Sequence, residues 1–156
     1  MPLEIERKFL VLNDSYKSES YSHSHIIQGY ICSDEARTVR VRIRDERAFI
    51  TIKGPTPEGG LACYEFEKEI TFEDGKELMR LCEPGIIDKV RWLVKSGNHT
   101  FEVDEFFGDN EGLVMAEVEL SAVNESVEIP SFIGEEVTGD SRYFNTYLRL
   151  HPYRTW

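Results

Sequence analysis

Glu4, Glu6 and Lys8 occupy alternate positions in the opening stretch LEIERKFLV, residues 3 to 11. In an extended strand that spacing puts two carboxylates and an ammonium on one face. The spacing returns along the chain, mostly with one sign at a time. Arg40 and Arg42 alternate in TVRVRIR (38–44), Glu65 and Glu67 in YEFEKEI (64–70), and Lys89 and Arg91 in KVRWLV (89–94). Glu102 and Asp104 alternate in FEVDEFF (101–107), Glu117 and Glu119 in MAEVEL (115–120), and Lys53 closes FITIK (49–53) opposite Ile50 and Ile52. Lys and Arg bind phosphate oxygens, and carboxylates hold hard divalent cations such as Mg²⁺ and Mn²⁺. The two sets together suit a long polyanion bound with metal ions.

One such strand alone reads as a sheet with a wet face, where cross-strand Lys–Glu pairs add a few tenths of a kcal/mol each. The set as a whole does not. Solvent-facing sheets mix signs and use Thr, Ser and Gln, whereas nearly every strand here carries a two-charge signature at i, i+2. If the sheet closes, those faces converge on one axis, and the apolar faces turn outward to pack against helices and loops. A lumen with both signs is costly unless ligand, ions or water fill it.

The elements needed to hold these faces are legible. Gly54-Pro55, Gly59-Gly60, Gly97-Asn98 and Gly108-Asp109-Asn110 separate the runs as hairpin turns do. IIQGYI (26–31) is a further strand with a glycine inside it. A helix is expected over about 73–83, opening in Glu73 and Asp74 and ending before Pro84-Gly85. A second is expected from an Asp140 N-cap toward Leu150, ended by Pro152. The polar segment 13–25, NDSYKSESYSHSH, reads as a loop. No repeat, linker or second domain breaks the chain, so residues 1–156 are taken as one domain.

Composition narrows the function classes. The chain has 156 residues and a net charge of −11, which argues against nucleic acid as a partner. An acidic exterior is compatible with a basic pocket. No apolar run approaches the ~18 residues of a membrane helix, and no basic-then-apolar start suggests a secretory signal, so a cytoplasmic location is expected. Cys32, Cys63 and Cys82 follow no metal spacing and read as free thiols.

In order, the blocks EIERK (4–8), QGYI, VRVRIR, TIKG, YEFE, DKVRW, FEVDEF, AEVEL and GEEVTGDSRYFN resemble the CYTH superfamily, the triphosphate tunnel metalloenzymes. Glu-x-Glu-x-Lys is that family's first-strand signature, and the likeness runs from Leu3 to about Leu148. The chain is most similar to small bacterial members that act as inorganic triphosphatases. The resemblance implies an α+β, mainly β fold: a closed antiparallel eight-stranded barrel with a charged lumen and a few flanking helices.

It also implies roles. Metal ions would sit on Glu4, Glu6, Glu117 and Glu119, with Glu102 and Asp104 near them. Lys8, Arg40, Arg42, Lys53, Lys89 and Arg91 would grip triphosphate, with Arg142 as an extra contact. Glu4, Glu6, Lys8 and Lys89 would be catalytic, and Glu65, Glu67 and Tyr30 would line the tunnel. The implied reaction is hydrolysis of tripolyphosphate to pyrophosphate and phosphate with two Mg²⁺ or Mn²⁺ ions, by a monomer or homodimer acting on a small molecule. Alternatives are an adenylyl cyclase of the class IV type, a nucleoside or thiamine triphosphatase, and a noncatalytic polyphosphate- or nucleotide-binding module. A pure binder needs the basic strands but not the joint set of acids. Ser141 and Phe144 stand where related short members carry basic residues. His23 and His25 alternate like a metal pair but read as solvated loop residues, and Tyr143, Tyr147 and Leu148 read as helix-to-barrel packing.

Overall fold

A computed structural model describes residues 3–34, 36–55 and 62–156. The side chains at positions 3, 4, 62 and 63 lie outside that description, so Glu4 is placed by its backbone alone and nothing is said of the Cys63 thiol. The expected Gly59-Gly60 turn lies outside the described residues.

In chain order the elements are β1 (Leu3–Val11), α1 (Tyr16–Glu19), β2 (Ser22–Ser33), β3 (Thr38–Arg44), β4 (Arg47–Lys53), β5 (Ala62–Ile70), α2 (Phe72–Arg80), β6 (Ile87–Ser96), β7 (His99–Phe106), β8 (Val114–Leu120), β9 (Ile133–Glu136) and α3 (Asn145–Leu148). All strands join one antiparallel sheet in the order β5-β4-β3-β2-β6-β7-β8-β1-β9. The expected eight-stranded closed barrel is therefore corrected to a nine-stranded sheet. β1 meets β8 over six residue pairs, but meets β5 over only three, from Leu3↔Tyr64 to Ile5↔Ala62.

β9 is the strand the sequence did not announce. It docks on β1 through the Phe9↔Glu136 and Val11↔Ile133 pairs. Arg7, on the outer face of β1, grips Glu136 with Nε at 3.0 Å and Nη2 at 2.7 Å, and its guanidinium lies 5.1 Å from the Phe9 ring centre.

Two apolar layers hold the sheet. On the outer face, Phe9, Val94, Phe101, Val103, Ala116 and Val118 pack with Tyr16 of α1 and with Phe132. On the other flank α2 crosses β3 and β4. The Thr71 hydroxyl caps it by accepting from the Asp74 amide at 3.1 Å. Gly75 allows the close approach, since a Cβ there would lie 2.4 Å from Ala48 Cβ. The β6–β7 hairpin turns on Gly97-Asn98 with Gly97 at φ +61°, the left-handed first position of a type II′ turn.

The second layer was not expected. The face carrying Lys8, Lys89, Asp104 and Glu117 continues, two residues further along each strand, as Leu10, Ile87, Phe106 and Met115. β1 and β7 run one way and β6 and β8 the other, so these four meet at one end of the lumen. There they cluster with Leu113, Val137, Tyr143 and Leu148. This face of the sheet is thus charged in the middle and covered with apolar side chains, a stopper, at one end.

Boundaries also shifted. The expected helix over 73–83 is α2, one residue earlier at its start and ending at Arg80. The expected helix from Asp140 is broken: Asp140 caps a 3₁₀ turn over Ser141–Tyr143, Phe144 takes an extended conformation at φ −77°, ψ 141°, and α3 follows. The segment 13–25 is not a plain loop, because α1 and the first residues of β2 occupy it. No helix among the described residues is long and apolar enough to cross a membrane.

Candidate active site

Alternation and register together bring the charged residues to one face. Glu6 lies opposite Glu119 and Lys8 opposite Glu117 on β1 and β8. Glu117 in turn faces Glu102 on β7, and Asp104 faces Arg91 on β6. Across β2, Arg42 faces Gln28 and Arg40 faces Tyr30; on β4, Lys53 faces Glu65 and Thr51 faces Glu67. Glu4 shares the β1 face by backbone position.

The acid-bearing wall is dense in short ion pairs. Lys89 is fully buried and its Nζ donates to Asp104 Oδ2 at 2.8 Å. Arg91 donates to both oxygens of Asp104, at 2.7 and 2.8 Å, and to Glu102 at 3.1 Å. Lys8 Nζ lies 3.6 Å from Glu117 Oε1. The Glu6 carboxyl interacts with that of Glu117 and helps to hold it ionised.

Electrostatics follow from that packing. Burial works against every charge here, and the partners decide the outcome. Lys8 is buried, yet Glu117, Glu6 and Asp104 raise its pKa above the usual lysine value. Burial likewise opposes the Glu117 carboxylate, but Lys8, Arg91 and Lys89 hold it well below the ordinary range. Asp104 is held low by Arg91 and Lys89. Lys89 goes the other way: burial, then Arg91 and Arg42, push it down to about 7 although Asp104 is its partner. The carboxylate serves two cations, and Arg91 has the better geometry.

The basic wall is looser. Arg40 is buried, donates to the Thr51 hydroxyl at 3.2 Å, and lies 3.7 Å from Glu67. Lys53 is 3.9 Å from Glu65. Arg42 donates to neutral Gln28 at 2.9 Å and is in no ion pair among the described residues. Burial, Arg40 and Arg91 push its pKa down to about 9.

Alternation within FITIK and IIQGYI places Thr51 and Gln28 on the charged face, a signal missed because neither residue is charged. Phe144 was missed for a different reason. Its ring sits 4.9 Å from Lys8 Nζ, a contact made by folding back the C-terminal segment, and local sequence carries no trace of it. Arg142 stays outside the lumen group: it is exposed and clamps Asp140 at 2.8 Å. Tyr30 is buried beneath the Arg149 guanidinium. His23 stacks on Trp92 with ring centres 4.6 Å apart, and His25 Nε2 sits 2.6 Å from Asp88. Each therefore has its own partner on β6. Of the helix-packing residues, Tyr143 and Leu148 enter the stopper, while Tyr147 stacks on His151. Cys32 and Cys82 are free thiols.

Among the described residues no three His, Cys, Asp or Glu side chains converge as a ready-made metal cage. The donor chemistry nevertheless fits a hard cation. Glu6, Glu117 and Glu119 offer oxygen alone, and two carboxyls in mutual contact need a proton or a cation between them.

Known proteins match this arrangement. The CYTH domain profile matches residues 2–145. An inorganic triphosphatase of Acetivibrio thermocellus is 42% identical over 157 residues, spanning 100% of this chain and 99% of that protein. One from Nitrosomonas europaea is 32% identical over 151 residues, 94% of this chain and 97% of its own. A solved structure of an inorganic triphosphatase superposes with a TM-score of 0.65 at 29% identity, covering 96% of each chain.

Proposed function

The chain belongs to the CYTH family, and from that premise we propose that it hydrolyses inorganic triphosphate to pyrophosphate and phosphate inside the charged lumen. The observation that carries this reading is the burial of Lys8, Arg40 and Lys89 on one inward face. A sheet with a merely solvated charged face keeps such residues in water, and a structural core does not use them.

In this reading the β1–β5 ladder completes a tunnel around the substrate. Arg40, Arg42, Arg91, Lys8 and Lys53 bind the phosphate oxygens and hold the chain of phosphoryl groups extended. Catalysis of phosphoryl transfer is mostly positioning and charge stabilisation, which a ring of fixed cations supplies. Glu4, Glu6, Glu117 and Glu119, with Glu102 and Asp104 behind them, hold Mg²⁺ or Mn²⁺ in pairs. Mg²⁺ is ordinarily held by one or two protein carboxylates plus substrate phosphates. The ions neutralise phosphate charge when bound. Glu117, held strongly ionised by Lys8, suits a ligand and not a proton acceptor. Lys89, held by Asp104 at 2.8 Å and charged beside the bound anion, is the group that donates its Nζ proton toward the leaving pyrophosphate oxygen. The apolar stopper keeps one end of the tunnel dry.

The test is product analysis. Purified protein with Mg²⁺ or Mn²⁺ is expected to release phosphate and pyrophosphate in equal amounts from tripolyphosphate, faster than from ATP or thiamine triphosphate. Lys8→Ala is expected to lose nearly all turnover with an unchanged circular dichroism spectrum. Cyclic AMP from ATP, or binding without phosphate release, would overturn the reading.

A further inference from the structure

Gln28 has no exposed surface. Its register neighbours are Arg42 on β3 and Ile87 on β6, so it stands on the lumen face between the basic wall and the apolar stopper. Its Oε1 accepts from Arg42 Nε at 2.9 Å. That bond fixes the amide's orientation, because the reverse would aim an NH₂ at a guanidinium donor. The Nε2 is the atom left over, and it is buried with no acceptor. Arg40 Nε, on the same face, is a second buried donor without one. Native folds seldom keep buried donors unpaired, and two of them on one inward, positively charged face describe a place for an anionic oxygen.

We propose that Gln28 is a substrate-binding residue: its Nε2 donates to a non-bridging oxygen of the bound triphosphate while its Oε1 holds the Arg42 guanidinium that binds beside it. The inference rests on the triphosphatase reading. A neutral amide suits the position. Another cation would add like charge beside Arg42. A carboxylate would pair with Arg42 and repel the substrate. The amide orients one donor and supplies another without changing the net charge.

The experiment titrates inorganic tripolyphosphate into the parent, Gln28→Glu and Gln28→Met calorimetrically in EDTA, followed by steady-state kinetics with Mg²⁺. Gln28→Met loses the hydrogen bond to the triphosphate together with the one that holds Arg42, and is expected to bind about tenfold more weakly, with the change in KM rather than kcat. Gln28→Glu keeps a partner for Arg42 but turns the free donor into an acceptor. It is expected to bind about 100-fold more weakly, with a free-protein Tm at or above the parent's. If the role were only to hold Arg42, Gln28→Glu would bind better than Gln28→Met, and that order overturns the proposal. So does binding by Gln28→Met within twofold of the parent, which decides the matter alone should Gln28→Glu not fold. A parent that fails to bind tripolyphosphate overturns the triphosphatase reading itself; a parent that binds beside indifferent variants overturns only the role of Gln28.

Discussion

The two walls of the lumen are charged in different ways. On β6, β7 and β1–β8, cations and carboxylates alternate and satisfy one another: Lys89 and Arg91 share Asp104 at 2.7–2.8 Å, and Arg91 also reaches Glu102 at 3.1 Å. On β3 and β4 the contacts lengthen to 3.7 Å for Arg40–Glu67 and 3.9 Å for Lys53–Glu65, and Arg42 has only a neutral amide. The first wall brings its own counterions and is stable by itself. Among the described residues the second carries Arg40, Arg42 and Lys53 against Glu65 and Glu67, with a buried donor left over on Arg40. A stability experiment should therefore be sensitive to the first wall, and a substrate experiment to the second.

The largest effect belongs to the first wall. Asp104 is 2% exposed and is the shared partner of the buried Lys89 and the half-buried Arg91. Asp104→Asn removes the charge but little volume, leaves Lys89 without its carboxylate and leaves Arg91 with Glu102 alone. Breaking a buried pair from one side costs ~3–5 kcal/mol, so the unfolding free energy in urea should fall by about that amount. Adding Lys89→Met should recover part of it, because one orphaned cation is then gone. Loss of less than ~1 kcal/mol in Asp104→Asn would mean the first wall is not self-compensated, and the contrast between the walls would fail.

Arg42→Met tests the second wall and should show the reverse. A half-buried cation flanked by Arg40 and Arg91, without a carboxylate, contributes little to the fold, so the Tm should stay the same or rise. Removing one preorganised donor from charge that develops in a transition state costs ~10²–10³ in rate, and tripolyphosphate turnover should fall by about that factor. A variant that is both unstable and fully active would exchange the roles assigned to the walls.

How much of this contrast was legible in the sequence follows from what is local and what is not. The two-residue period of a strand is local, so alternating charges alone disclose the inward face of β1, β3, β6, β7 and β8. Register is not local. Nothing in KVRWLV or FEVDEFF says that Arg91 stands opposite Asp104, and so the self-compensation of one wall and the surplus on the other were invisible. Leu10, Ile87, Phe106 and Met115 lie in phase with the charged rows, but read as strand ends; only the strand directions gather them into a stopper. β9 is four residues long and carries a glycine, too short for a pattern, and its anchor is the Arg7–Glu136 pair 129 residues apart. That pair also explains a charged residue on the outer face of β1 for which sequence offered no role. The terminal helix broke at Phe144 because its ring turns to Lys8, a contact from β1 that capping signals at Asp140 cannot foresee.

The remaining contrast is a pH slope, and it separates the walls without removing a substrate ligand from the basic one. Lys89 is pushed down to about 7 by burial and by Arg91 and Arg42, against an ordinary value of 10.5. Between those values the unfolded chain binds the proton and the folded chain does not. Stability therefore rises with pH from about 7 to about 10.5, and the penalty for the buried ammonium is fully present below 7. Lys89→Met should flatten that segment of the stability curve and leave the acid limb, set by Asp104 and Glu117, in place. Tripolyphosphate should flatten it too, because bound anionic oxygens favour the charged ammonium and restore its pKa. A parent whose stability falls steadily from pH 7 to 10 would place Lys89 on the compensated side without penalty. The first wall would then hold both its cations charged, and Asp104 would serve them equally.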